Sequence, residues 1–193
     1  MNKKHPAYRY AMDVAEGEVN APKYVKLQVK EFLDIANGKD SRYMLDDSKV
    51  HTIGELLKLM VMPKGLKANS TVYDAMAGFQ WLFIIAILCT VDRDNKDKRR
   101  YENAILEICR KNGKTFLIAV LFILLFFIEP KFSKFYSVAP DGSLSREIKT
   151  AIEEIIRSSP ALLGKMNGKE KFKILRDYIH CNITENRYTP LNY

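Results

Sequence analysis

The sequence predicts an α/β fold in which a parallel sheet is flanked by helices and preceded by a helical N-terminal subdomain. Three observations carry this. Ala104-Ile105-Leu106-Glu107-Ile108 reads as a buried strand, Cys109-Arg110-Lys111-Asn112-Gly113-Lys114-Thr115 as a tight polar loop, and Phe116 to Ile128 as an apolar run of helical length. Strand, loop ending Gly-Lys-Thr, then helix is the layout of a phosphate-binding loop, so the core reads as P-loop-like.

Each residue of that loop has a physical reason. Gly113 lets the backbone approach an anion, and successive N–H groups of the loop and first helical turn point at it. Lys114 would place a point charge at the β- and γ-phosphates of a nucleotide, and the Thr115 hydroxyl would ligate Mg²⁺. The usual first glycine, five residues before Gly113, is Ile108 here. Gly164-Lys165 and Gly168-Lys169 show that Gly-Lys pairs recur by chance. Only the pair at 113–114 lies between a strand-like and a helix-like run.

The 193 residues suffice for one ordinary α/β domain with a sizeable core. The net charge of +8 suits a polyanion, although lysines on a solvated surface give the same count. Cys89, Cys109 and Cys181 are odd in number and widely spaced, which fits a reducing, cytoplasmic setting rather than a disulfide or zinc framework. Met1 to Tyr10 is too polar for a signal peptide. Phe79–Cys89 and Phe116–Ile128 fall short of the roughly 20 apolar residues that a spanning helix needs.

In order, Met1 to Ala21 reads as a tail or an ill-determined helix. Pro22 can open a helix bearing Val25, Val29, Phe32 and Ala36 on one face, closed by Asn37-Gly38. Met44-Leu45-Asp46-Asp47 reads as a helix or loop edge. Thr52 and Glu55 form a candidate capping box for a helix carrying Ile53, Leu56, Leu57 and Met60. Val72 to Thr90 reads as one long buried helix with Gln80 and Trp81, followed by a charged connection from Asp92 to Arg100. After the loop helix, Lys134 to Ala139 reads as a strand running into a turn at Pro140-Asp141-Gly142. It would pair in parallel with 104–108 as a right-handed unit. Ser143 can cap a helix with Leu144, Ile148, Ile152 and Ile155 on one face. Gly164 to Lys171 reads as a basic loop, Phe172 to Cys181 as β-like, and Ile183 to Leu191 as a strand pairing back. The predicted division is 1–71, tail and helical subdomain, and 72–193, the core.

Taken together, Gly78-Phe79-Gln80-Trp81, the connection ending Arg99-Arg100-Tyr101, and Ala104 through Thr115 resemble the large terminase subunit of tailed bacteriophages. That family packages DNA and carries a deviant phosphate loop in which the first glycine is not required. Tyr136-Ser137-Val138-Ala139-Pro140-Asp141 and Ser158-Ser159-Pro160-Ala161-Leu162 are also similar, and the resemblance runs from about Tyr24 to the end. It implies ATP and Mg²⁺ as cofactors, with Gln80 reading the adenine edge and residues Cys109, Arg110, Lys111, Asn112, Gly113, Lys114 and Thr115 around the phosphates. Arg110 and Lys114 would be catalytic, Arg110 by spreading charge over phosphate oxygens. An ion pair of Arg110 with Glu107 or Glu129, and an ordinary helix-surface role for Gln80, remain alternatives. Trp81 reads as core and His180 as part of a half-buried strand. Double-stranded DNA, a small terminase subunit and a portal are the implied partners, in the cytoplasm of an infected bacterium. The family's acidic strand ending Asp-Glu and its nuclease domain have no counterpart here, so the core resembles a truncated or split motor. A second chain supplying the missing part is then expected, as is an alternative role as a non-catalytic interaction module.

Overall fold

A computed structural model of the protein describes residues 2–139 and 142–192. In chain order the first elements are α1 (Pro6–Glu16), α2 (Lys23–Ala36), β1 (Tyr43–Leu45), α3 (Asp47–Leu59), α4 (Val72–Ala75), α5 (Gly78–Cys89) and β2 (Thr90–Asp92). Then come α6 (Lys114–Ile128), β3 (Lys134–Ala139), α7 (Gly142–Ser158), α8 (Pro160–Leu163), β4 (Lys165–Met166) and β5 (Lys169–Glu170). The chain closes with β6 (Phe172–Ile174), β7 (Ile179–Cys181) and β8 (Asn186–Asn192). The fold is mixed α/β. It divides into two compact units, Met1–Gly54 with Met76–Leu106, and Glu55–Ala75 with Glu107–Tyr193. Helix α5 shares a unit with α1, on which it packs.

In the first unit α1 is a defined helix. The His5 ring Nδ1 accepts from the Ala7 N–H at 3.2 Å as its cap, Pro6 opens it, and Gly17 closes it at φ 87°. The Tyr8 hydroxyl donates to Asn37 Oδ1 at 3.0 Å, tying α1 to the end of α2. Met44-Leu45, read as a helix or loop edge, is strand instead: β1 pairs antiparallel with β2, Met44 opposite Val91. Asp46 then caps α3 by accepting from Ser48 N–H at 2.9 Å. With the helix starting there, Thr52 lies inside it and the Thr52/Glu55 capping box does not form. The single helix expected over 72–90 is two, because Ala77 is extended (φ −75°, ψ 156°) and α5 restarts at Gly78. A Cβ at Gly78 would come within 2.7 Å of the Tyr10 ring, so only glycine admits this approach of α5 to α1. The charged connection is largely spoken for. Arg100 pairs with Glu31 and lies 4.3 Å from the Tyr43 ring centre, Arg93 Nε donates to Asp40 O at 3.0 Å, and Arg42 sits 3.6 Å from Asp92.

The second unit is built on a four-stranded sheet, β3-β8-β7-β6, with β3 and β8 parallel and the other pairs antiparallel. Phe135, Tyr188 and Phe172 face α6. The Phe122 ring lies 4.7 Å from Tyr188, and Phe126 lies 5.8 Å from Phe135 and 5.4 Å from Phe172. Ser137 and Tyr188 share a buried 2.6 Å hydrogen bond on that side. Helix α7 covers α6 with Ile152, Ile155 and Ile156 buried. The β-like run from 172 folds into a hairpin at Arg176-Asp177, so Asp177 sits in a bend rather than a strand. Residues 164–171 are not loop throughout. β4 and β5 pair around Asn167 (φ 52°) and Gly168 (φ 79°), the two left-handed residues of a tight hairpin turn. The turn expected at Pro140-Asp141 lies outside the described residues. Among the described residues no helix is long and apolar enough to cross a membrane.

One expectation fails outright. Ala104 to Ile108 forms no strand, and Ile105 is 93% exposed. The parallel partner of β3 is β8 instead. A buried parallel strand needs neighbours along its edges and layers on both faces. Among the described residues no strand pairs with 104–108.

Candidate nucleotide site

Residues 109–115 belong to the second unit and make a compact turn onto the N-terminus of α6. Lys111 (φ 66°) and Gly113 (φ 75°) are both left-handed, and Gly113 is the residue that caps α6. Alternation of left- and right-handed residues curls a backbone so that successive N–H groups converge on one concavity. The first helical bond closes immediately, Leu117 N–H to Gly113 O at 2.9 Å. The exposed Asn112 side chain braces the curl, its amide Nδ2 donating to Arg110 O at 3.3 Å and to Cys109 O at 3.4 Å. A left-handed lysine is strained, a feature that concentrates at functional loops.

Arg110, Lys111, Lys114 and Thr115 are exposed around this turn, as is the free thiol of Cys109. Three cations thus lie within five residues, at the positive end of a helix whose macrodipole favours an anion. The opposite end of α6 is anchored by residues that sequence reading passed over. Thr184 Oγ1 donates to Phe126 O at 2.7 Å, and Asn186 Nδ2 donates to Phe126 O at 3.0 Å and Glu129 O at 3.4 Å. Asn186 Oδ1 in turn accepts from Ser133 N–H at 2.8 Å. The helix that presents the loop is therefore fixed to the sheet at its far end.

Gln80 lies in the first unit and is 7% exposed, not a surface glutamine. Its Oε1 accepts from the Ala77 N–H at 2.9 Å, closing the start of α5. Trp81 is core, in edge contact with His5 at 5.1 Å between ring centres. Two acidic residues of α7 are engaged in ion pairs: Glu153 with Lys149, and Glu154 with Lys64 at 2.8 Å. Among the described residues no group of three or more His, Cys, Asp or Glu is placed to hold a metal ion.

The turn suits a phosphate: glycine where the backbone must be left-handed, free helical N–H groups, and lysine beside them. Its fit to Mg²⁺ rests on Thr115, since among the described residues no carboxylate cluster accompanies it.

No family model matches the chain, and no curated protein matches it by sequence. Among solved structures, the crystal structure of the HK97 bacteriophage large terminase is similar, with a TM-score of 0.57 and 20% identity. The similarity covers 77% of this chain and 28% of that one, so the chain spans under a third of the protein it resembles. In fold, this protein is similar to a phage large terminase.

Proposed function

We propose that this chain is a terminase-like ATPase core element that binds Mg-ATP at residues 109–115. Lys111, Asn112, Gly113 and Lys114 would cradle the phosphates, Thr115 would contribute one Mg²⁺ ligand, and Arg110 would oppose charge developing on the transferred phosphoryl group. The cofactor would supply the phosphoanhydride bond whose cleavage drives work. The chain's own contribution is to bind, orient and neutralise charge, which is where most phosphoryl-transfer catalysis lies. The observation that carries the reading is the left-handed turn at Lys111 and Gly113, feeding directly into α6. In the complete motor this activity would be coupled to movement of double-stranded DNA, with a small terminase subunit and a portal as partners, in the infected host cytoplasm.

Turnover needs a carboxylate to order Mg²⁺ and activate water, and strands to support residues 104–108. Both would come from further polypeptide. Equilibrium binding of Mg-ATP, paired with a phosphate-release assay, tests the proposal. Saturable binding lost in Lys114→Ala, with little release, is expected; rapid Lys114-dependent hydrolysis by this chain would refute the missing-carboxylate part. A second reading, a non-catalytic module that docks a partner, is favoured by the exposure of Ile105 and the lack of strand pairing around it. Absence of nucleotide binding together with specific capture of one partner would select it.

A further inference from the structure

The face of the four-stranded sheet turned away from α6 carries a row of basic side chains in register. Lys134 on β3 is paired with Arg187 on β8, Arg187 with His180 on β7, and His180 with Lys173 on β6. Strands about 4.8 Å apart make this row roughly 14 Å long. Lys134, Lys173 and Arg187 are exposed. The row lines an open cleft of about 440 Å³ together with Phe132, Tyr178, Asn182 and Glu185. The one acid there, Glu185, is 2.9 Å from His180 and offsets part of the charge. Three permanent cations against one carboxylate leave the cleft positive.

Aromatic rings accompany the cations. Arg187 stacks on Tyr178 at 3.6 Å from its ring centre. Tyr136, two residues along β3 from Lys134 on the same face, is 50% exposed. Phe132, exposed at the cleft edge, is held left-handed at φ 69° with its N–H on Thr184 O at 3.1 Å. A bulky side chain in that backbone region is a true outlier. The fold thus keeps an apolar ring in water beside a row of cations.

We propose that this sheet face binds single-stranded nucleic acid, the phosphates running along the Lys134–Arg187–His180–Lys173 row and bases stacking on Tyr136 and Phe132. Charge complementarity selects a phosphate backbone. Exposed rings on an open sheet favour unpaired bases, whose faces are free, over a duplex that hides them. The inference goes beyond the nucleotide reading and rests on a separate surface of the second unit.

The test is fluorescence anisotropy of the full chain, without nucleotide, against a labelled oligothymidylate of about 10 residues. Neutralising about three phosphates predicts a log–log salt slope near −2. A duplex of equal length should bind at least about tenfold more weakly, because its bases cannot stack on the rings. Lys134→Glu with Lys173→Glu should lower affinity by about tenfold or more, whereas Lys165→Glu with Lys169→Glu, the same charge change on the β4–β5 hairpin, should not. Tyr136→Ala should cost about fivefold or more. Unchanged far-UV circular dichroism certifies folding, and Lys134→Gln with Lys173→Gln repeats the test without reversed charge. Equal losses from both double variants, equal duplex affinity, or equally tight binding of an acidic peptide would overturn the proposal. Mg-ATP binding is measured separately, so a failure here leaves that reading intact, and the reverse.

Discussion

Helix α6 presents the candidate loop, and its far end hangs on two side chains whose removal has a calculable cost. In Asn186→Ala the Ser133 N–H loses its acceptor and the Glu129 carbonyl a long donor, while Phe126 O keeps its bond from Thr184. Asn186 is fully buried, so leaving such a group unpaired costs about 1–3 kcal/mol, and the lost packing brings the expected total to roughly 2–3 kcal/mol. Thr184→Val alone should cost under about 1 kcal/mol, because Asn186 still serves Phe126 O. Removing both leaves that carbonyl bare, and the double variant should exceed the sum by about 1–2 kcal/mol. Urea unfolding followed by circular dichroism measures all three, with the m-value checked for constancy. A strictly additive double variant, or an Asn186→Ala cost within about 0.5 kcal/mol of zero, would refute this account of how α6 is anchored.

Other perturbations probe other parts. Gly78→Ala forces a methyl group into the Tyr10 ring and should cost about 1–3 kcal/mol in thermal or urea unfolding. Gly113→Val puts a branched residue at φ 75° and should cost about 1–2 kcal/mol while weakening nucleotide binding. Burial, and secondarily the nearby N-terminus, lowers the His5 pKa from 6.5 to about 4. Between those values the unfolded chain binds the proton and the folded chain does not. Stability is therefore full above pH 6.5 and falls as the pH drops toward 4, and His5→Gln should flatten that dependence in Trp81-monitored unfolding. Cys109 is exposed whereas Cys89 and Cys181 are buried, with burial pushing the Cys89 thiol up to about 12. An alkylating reagent should therefore label Cys109 first, as peptide mass mapping will show, and Mg-ATP should slow that labelling.

Much of the second unit was legible because its signals are local. The apolar run after Lys114, the alternation at Lys134–Ala139 and the returning strand before Leu191 each announce their own geometry. The turn before α6 was legible for the same reason, since Gly113 is left-handed at φ 75° where the helix starts. What failed depended on neighbours. Ala104–Ile108 has the composition of a buried strand, but a strand exists only when another backbone pairs with it. Asn186 gives no local cue, because its partner Phe126 lies 60 residues away in sequence. For Gln80 the sequence left an adenine contact and a helix-surface role open, and the break at Ala77 turns it inward as a cap. Asn167-Gly168 was a readable hairpin signal that the basic character of the segment obscured.

In the proposed function, the turn before α6 receives the phosphates of a nucleotide through Gly113 and Lys114. Thermal unfolding of wild type and Lys114→Ala over a Mg-ATP titration tests it most directly, with adenosine as the phosphate-free control. A ligand at 100 times its dissociation constant adds about 2.7 kcal/mol to the native state. A midpoint that climbs with Mg-ATP in the wild type, stays flat in Lys114→Ala and ignores adenosine is the predicted result. A flat wild-type midpoint, or an equal rise without Lys114, would contradict it.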